Sequence, residues 1–103
     1  MRRLLFFPVL FTTLAAAADE HPGAALYRQK TCVTCHAADG SGSTPAGKAM
    51  KVRDLRDADV QKQSDGELAK TIGDGKGNMP GFGKTMSAEQ IANVVSFIRT
   101  LKK

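Results

Sequence analysis

At Cys32-Val33-Thr34-Cys35-His36 two thiols and an imidazole fall at fixed offsets. This C-x-x-C-H spacing is that of haem c attachment, in which the thiols add across the two vinyl groups and the adjacent imidazole ligates the iron. Three rival readings share these residues. A Cys32–Cys35 disulfide suits an oxidising compartment, but it leaves His36 without a role. A thioredoxin-like pair belongs in a βαβ context, and no strand pattern is visible in the chain. Structural zinc wants four ligands, and beyond these three only His21 remains, eleven residues upstream of Cys32.

Composition shows why a bound group is needed. The chain has 103 residues, a net charge of +5 and 42% apolar residues, enough for one small domain and too little for a two-domain enzyme. The apolar residues are unevenly spread. Met1-Arg2-Arg3 is a positive start, residues 4–14 are an apolar run, and Ala15 to Ala18 offer small-residue cleavage positions. Residues 1–18 therefore read as an export signal cut after Ala18, with a cut after Ala17 nearly as good. The whole apolar stretch from Leu4 to Ala18 is 15 residues long, short of the roughly 20 that a spanning helix needs. Removal of Arg2 and Arg3 leaves 13 basic residues against 10 acidic ones, or +3.

The expected mature domain, residues 19–103, keeps ten Gly but only three aromatics, Tyr27, Phe82 and Phe97. So sparse a chain is short of core unless a disulfide, a metal or a bound group fills the middle. Its charges alternate, as in Arg53-Asp54-Leu55-Arg56-Asp57, which lacks the clustered basic footprint of nucleic-acid binding.

The element pattern is all-α. A short helix is expected over residues 23–30, a Gly/Ser-rich loop over 37–49, and one or two turns over 57–63 capped by Asp57. Ser64-Asp65-Gly66-Glu67 has the capping-box pattern, opening a helix that runs to Ile72 and stops at Gly73. Residues 74–84 read as loop. Ser87-Ala88-Glu89-Gln90 is a second capping box, and Ile91, Val94, Val95, Ile98 and Leu101 then keep helical spacing.

Met79 lies in the loop Gly77-Asn78-Met79-Pro80-Gly81-Phe82, which suits a second axial iron ligand. Met50 and Met86 read as gap-fillers in the core, and His21 as a solvated surface residue.

These features together resemble a class I cytochrome c of the small, soluble bacterial monohaem type. The anchors are Gly23, Tyr27, the Cys32–His36 motif, the Met79-Pro80 loop and Phe97, in that order. Thr31 departs from the commonest pattern as an extra residue before the motif. The resemblance implies one covalent haem c, bound through Cys32 and Cys35, with His36 and Met79 on the iron. It implies a crossing of the first and last helices near Gly23, Tyr27 and Phe97. It also implies a loop carbonyl on the second nitrogen of the His36 ring, with Pro45 placed to shape that contact. Leu55, Ile72, Phe82, Val94, Val95 and Ile98 are the expected apolar lining. Arg53 and Arg56 are propionate candidates, with a solvated pairing to Asp54 and Asp57 as the competing reading.

The functional expectation is a periplasmic one-electron carrier and not an enzyme, a monomer free of the membrane once the signal is removed. Lys48, Lys51, Lys76 and Lys84 are expected to dock an acidic redox partner. Two alternatives stay open: a haem enzyme or gas sensor with a free sixth position, and a cytochrome c subunit of an oxidase or dehydrogenase complex.

Overall fold

The computed structural model describes residues 20–103 together with Pro8. The expected export signal, residues 1–18, lies outside the described residues except for Pro8. Among the described residues there are six helices and no strand. They are α1 (Pro22–Gln29), α2 (Cys32–His36), α3 (Pro45–Met50), α4 (Ala58–Gln61), α5 (Asp65–Asp74) and α6 (Ala88–Thr100).

Local chemistry explains where they begin. At α6 the capping box is complete: Gln90 N–H donates to Ser87 Oγ at 3.1 Å, and Ser87 N–H donates to the Gln90 side chain at 2.9 Å. At α5 only half of it forms. Glu67 N–H donates to Ser64 Oγ at 3.1 Å, but the Glu67 carboxylate takes the Ser64 hydroxyl at 3.2 Å and not the backbone. Asp57 stands at the N-cap of α4 without a side-chain cap bond, because its carboxylate meets Lys103 Nζ at 2.9 Å.

Two boundaries correct the sequence reading. The expected loop over 37–49 is cut short by α3. Thr44 Oγ1 accepts from Gly47 N–H at 3.0 Å, and Pro45 fills the first helical position, where a missing N–H costs nothing. α5 passes through Gly73 and ends at Gly75, whose φ of 80° is the left-handed conformation that glycine adopts freely.

α6 is the spine, with α1 crossing it and α5 packed along it, while α2 packs on α1 and α3. Gly23 permits the crossing, since a Cβ there would lie 2.0 Å from the Asn93 carbonyl oxygen. Beside it the Tyr27 and Phe97 rings sit with centroids 5.2 Å apart. His21 stays at the surface, partly exposed and outside the cavity lining, as expected, but its ring is engaged. Its Nδ1 accepts from Gly23 N–H at 2.9 Å and its Nε2 lies 3.2 Å from Ser96 Oγ, so it caps α1 and ties it to α6. Thr31 takes up the extra residue between α1 and α2 at φ 68°. Met86 is buried in the core as expected, whereas Met50 is 39% exposed and fills no gap there.

Candidate functional site

A helical turn places residues i, i+3 and i+4 on one face, so α2 gathers Cys32, Cys35 and His36 on one side. Both cysteines are free and half-buried. Cys32 and His36 line a cavity of about 400 Å³, and Met79 lies in the same lining; Cys35 does not. The walls are apolar: Tyr27, Leu55, Val60, Leu68, Ile72, Val94 and Ile98. Lys51, Arg53 and Lys76 also belong to the lining, with the exposed Met50 among them.

The His36 ring is oriented from behind. Nδ1 lies 3.1 Å from the Arg53 carbonyl oxygen. A carbonyl only accepts, so Nδ1 carries the proton and Nε2 keeps its lone pair. Burial lowers the pKa of His36 below its ordinary value, with the Arg53 carbonyl opposing that shift. The imidazole is thus a neutral donor, as a metal ligand must be. Burial likewise pushes the Cys32 thiol up.

α2 ends on a strained residue. Ala37 has φ 65° and ψ 165°, a region that costs a residue other than glycine about 1–3 kcal/mol. Two donors hold its carbonyl: the Tyr27 hydroxyl at 2.5 Å and Gly40 N–H at 3.2 Å. Burial pushes the Tyr27 phenol far above its ordinary pKa, so it stays a neutral donor. α3 closes against the other side of the motif, where a Cβ on Gly47 would lie 2.1 Å from the Cys35 carbonyl oxygen. Thr44 Oγ1 donates to the Thr34 carbonyl at 2.7 Å.

The Met79 loop is built from backbone bonds. Lys76 and Met79 exchange N–H···O bonds of 3.0 and 2.9 Å across Gly77, which has φ 58°. The returning arm then supplies the end of α5: Phe82 N–H donates to the Ile72 carbonyl and Gly83 N–H to that of Gly73, each at 2.9 Å. A Cβ on Gly81 would lie 2.7 Å from the Asp74 carbonyl, so the arm lies directly on the helix end.

The residues present suit a haem. An apolar cavity has a neutral imidazole with a free lone pair, a thiol and a thioether in one lining, and no side-chain polar atom buried among the described residues lacks a partner. Comparison with known proteins agrees. The sequence profile of the family described as cytochrome c oxidase, cbb3-type, subunit III matches residues 18–98. The chain belongs to the small monohaem class I c-type cytochromes. It is 34% identical to cytochrome c6 of Rippkaea orientalis, covering 95% of this chain and 92% of the relative. It is 33% identical to cytochrome c6 of a Picosynechococcus species, over 85% and 78% of the two chains. Among solved structures, the KustC0563 c-type cytochrome matches with a TM-score of 0.71 and 34% identity, covering 79% of this chain and 98% of that one. This cytochrome therefore carries one covalent haem c and transfers electrons.

The structure sorts the cytochrome's expected lining. Leu55, Ile72, Val94 and Ile98 are in it, while Phe82 and Val95 are not. Val95 faces a second groove with Ala69 and Ala92, on the other side of α6, and Phe82 packs against the core beside the Met79 loop. Val52, Val60 and Leu68 were missed. Val60 and Leu68 sit in α4 and α5, where short amphipathic helices show which residues are inside but not which cavity they face. The carbonyl on His36 is that of Arg53, so Pro45 instead starts α3. Arg56 does not line the cavity and grips Asp54, as the competing reading held.

Proposed function

We propose that this cytochrome is a periplasmic electron carrier, not an enzyme, with both axial positions of its iron filled, by His36 Nε2 and Met79 Sδ. Cys32 and Cys35 would hold the ring through thioether bonds, each thiol's sulfur bonding to a vinyl carbon and its proton going to the neighbouring carbon. The bound haem supplies the reversible ferric–ferrous couple. With His36 and Met79 as its two protein ligands the iron would have no place for a substrate, and its potential would be raised relative to stronger donor pairs. The observation that carries this reading is the presence of His36 and Met79 in one cavity lining, with His36 Nδ1 already engaged by Arg53.

Residues 1–18 serve as the export signal and the domain from residue 19 works as a monomer. No helix among the described residues is long and apolar enough to cross a membrane. Lys51 and Lys76 lie in the cavity lining and Lys48 stands one turn away on α3. With Lys84 they have no ion-pair partner among the described residues. That unpaired charge favours an acidic redox partner.

The test is a near-infrared spectrum of the ferric protein together with carbon monoxide addition to the ferrous protein. A methionine-to-iron band and no carbon monoxide adduct are expected. A missing band with ready binding would mean an open sixth position and would overturn the carrier reading.

A further inference from the structure

The peptide bond that supplies the Arg53 carbonyl joins it to Asp54, and Asp54 is clamped by charge. Its Oδ1 accepts from the Arg56 backbone N–H at 2.9 Å and from Arg56 Nε at 3.0 Å, and its Oδ2 accepts from Arg56 Nη2 at 2.9 Å. The guanidinium thus grips both oxygens, an arrangement that fixes direction as well as distance. Lys103, beyond the end of α6, adds a second cation: its Nζ lies 3.8 Å from Asp54 Oδ2 and 2.9 Å from Asp57 Oδ1. Asp39 stands 3.9 Å from Arg56. The Asp54 side chain is only 20% exposed, so this cluster is less screened than a surface pair. The hydrogen bonds from Arg56 hold the Asp54 carboxyl at about 2, which keeps it ionised over the working pH range.

A carbonyl behind a ligating histidine orients the ring and raises its basicity. A more basic imidazole favours ferric over ferrous iron and lowers the potential. We propose that Asp54, Arg56 and Lys103 are positioning residues that hold the Arg53 carbonyl on His36 Nδ1 and thereby set the reduction potential of this cytochrome. The proposal rests on His36 being an iron ligand. None of the three residues lines the cavity, and the contact this segment makes with the His36 ring is the Arg53 carbonyl oxygen.

Charge alone predicts the opposite sign, which makes the proposal decidable. Removing a cation from the neighbourhood of the iron disfavours reduction and lowers the potential. Releasing the Arg53 carbonyl weakens the imidazole donor and raises it. The experiment is a spectroelectrochemical titration of the holoprotein carrying Arg56→Gln or Lys103→Gln. It is paired with solvent exchange of the His36 Nδ1 proton, followed by NMR in the reduced state. The expected result is a shift to higher potential and faster proton exchange in both variants, with Arg56→Lys shifted less than Arg56→Gln. Lys103 is 60% exposed at the chain end, so Lys103→Gln reports even where an Arg56 variant fails to fold. A lower or unchanged potential, or unchanged exchange, overturns the proposal. The ligation reading is checked separately by His36→Ala: a low-spin spectrum that survives that change sinks the ligation reading itself.

Discussion

Gly23→Ala puts one methyl group into the tightest helix crossing of the molecule. The new Cβ would lie 2.0 Å from the Asn93 carbonyl oxygen and 2.7 Å from both the Asn93 carbonyl carbon and Phe97 Cβ. These neighbours are α6 backbone and a first side-chain carbon, so no rotamer change relieves the clash. Ordinary contact begins near 3.4 Å, which requires α1 and α6 to part by about 1.4 Å. Overpacking a core costs about 1–3 kcal/mol, more where backbone must move. Against this, alanine gains about 0.4–1 kcal/mol over glycine by restricting the unfolded chain. The clash wins by about 2 kcal/mol or more, which lowers Tm by about 8–16 °C in a domain of this size. Gly66 is the internal control. It is likewise the second residue of its helix, yet a Cβ there meets only Ser64 Oγ, at 3.9 Å. Gly66→Ala is therefore expected to raise Tm. Thermal unfolding of the two holoproteins, followed by far-ultraviolet circular dichroism, checks both. A Gly23→Ala protein melting within about 2 °C of wild type, or a Gly66→Ala protein falling as far, would refute the close-approach argument.

Two other perturbations follow from charge. Asp54 has its pKa depressed to about 2 from an ordinary 3.8, so its contribution to stability is full above pH 4 and is lost as pH falls toward 2. Acid titrations of wild type and Asp54→Asn should accordingly diverge above pH 4 and converge near pH 2; a constant gap across that window would contradict the assignment. Reversing Lys51 and Lys76 to Glu should lower the rate of electron transfer to an acidic partner and flatten its dependence on ionic strength. Stopped-flow rates at several salt concentrations measure this, and an unchanged salt slope would remove these lysines from docking.

Much of the fold is written in local chemistry. The Ser87 capping box and the spacing of Ile91, Val94, Val95 and Ile98 define α6 outright, whereas the close approach at Gly23 is expected only from the family resemblance, and the structure supplies its reason. α3 was hidden because Thr44-Pro45, a sound helix start, is embedded among glycines and serines that read as loop. Gly73 reads as the end of α5 because glycine is a common stop. The backbone turns at Gly75 instead; a Cβ on Gly73 would meet only Ile91 Cδ1, at 3.8 Å, whereas one on Gly83 would lie 3.0 Å from the Gly73 carbonyl oxygen that Gly83 N–H reaches. At the site, motif spacing supplies Cys32, Cys35 and His36, and a turn-rich loop supplies Met79. The partner of His36 Nδ1 is a main-chain oxygen 17 residues away. Every residue type offers that atom, so no side-chain pattern marks it. His21 is the surface residue the sequence suggests, but the partners of its two nitrogens, a helix terminus and Ser96 75 residues on, are marked by no pattern either.

The loop carrying Met79 hangs from the end of α5 by its own main chain, through Phe82 and Gly83, and closes on itself between Lys76 and Met79. Its shape is therefore set by peptide groups that neither gain nor lose charge. On the proposed ligation by Met79, a donor seated on such a frame would be in place before an electron arrives and after it leaves. Little reorganisation would then accompany each change of oxidation state, and the speed of exchange would be left to how closely a partner can approach.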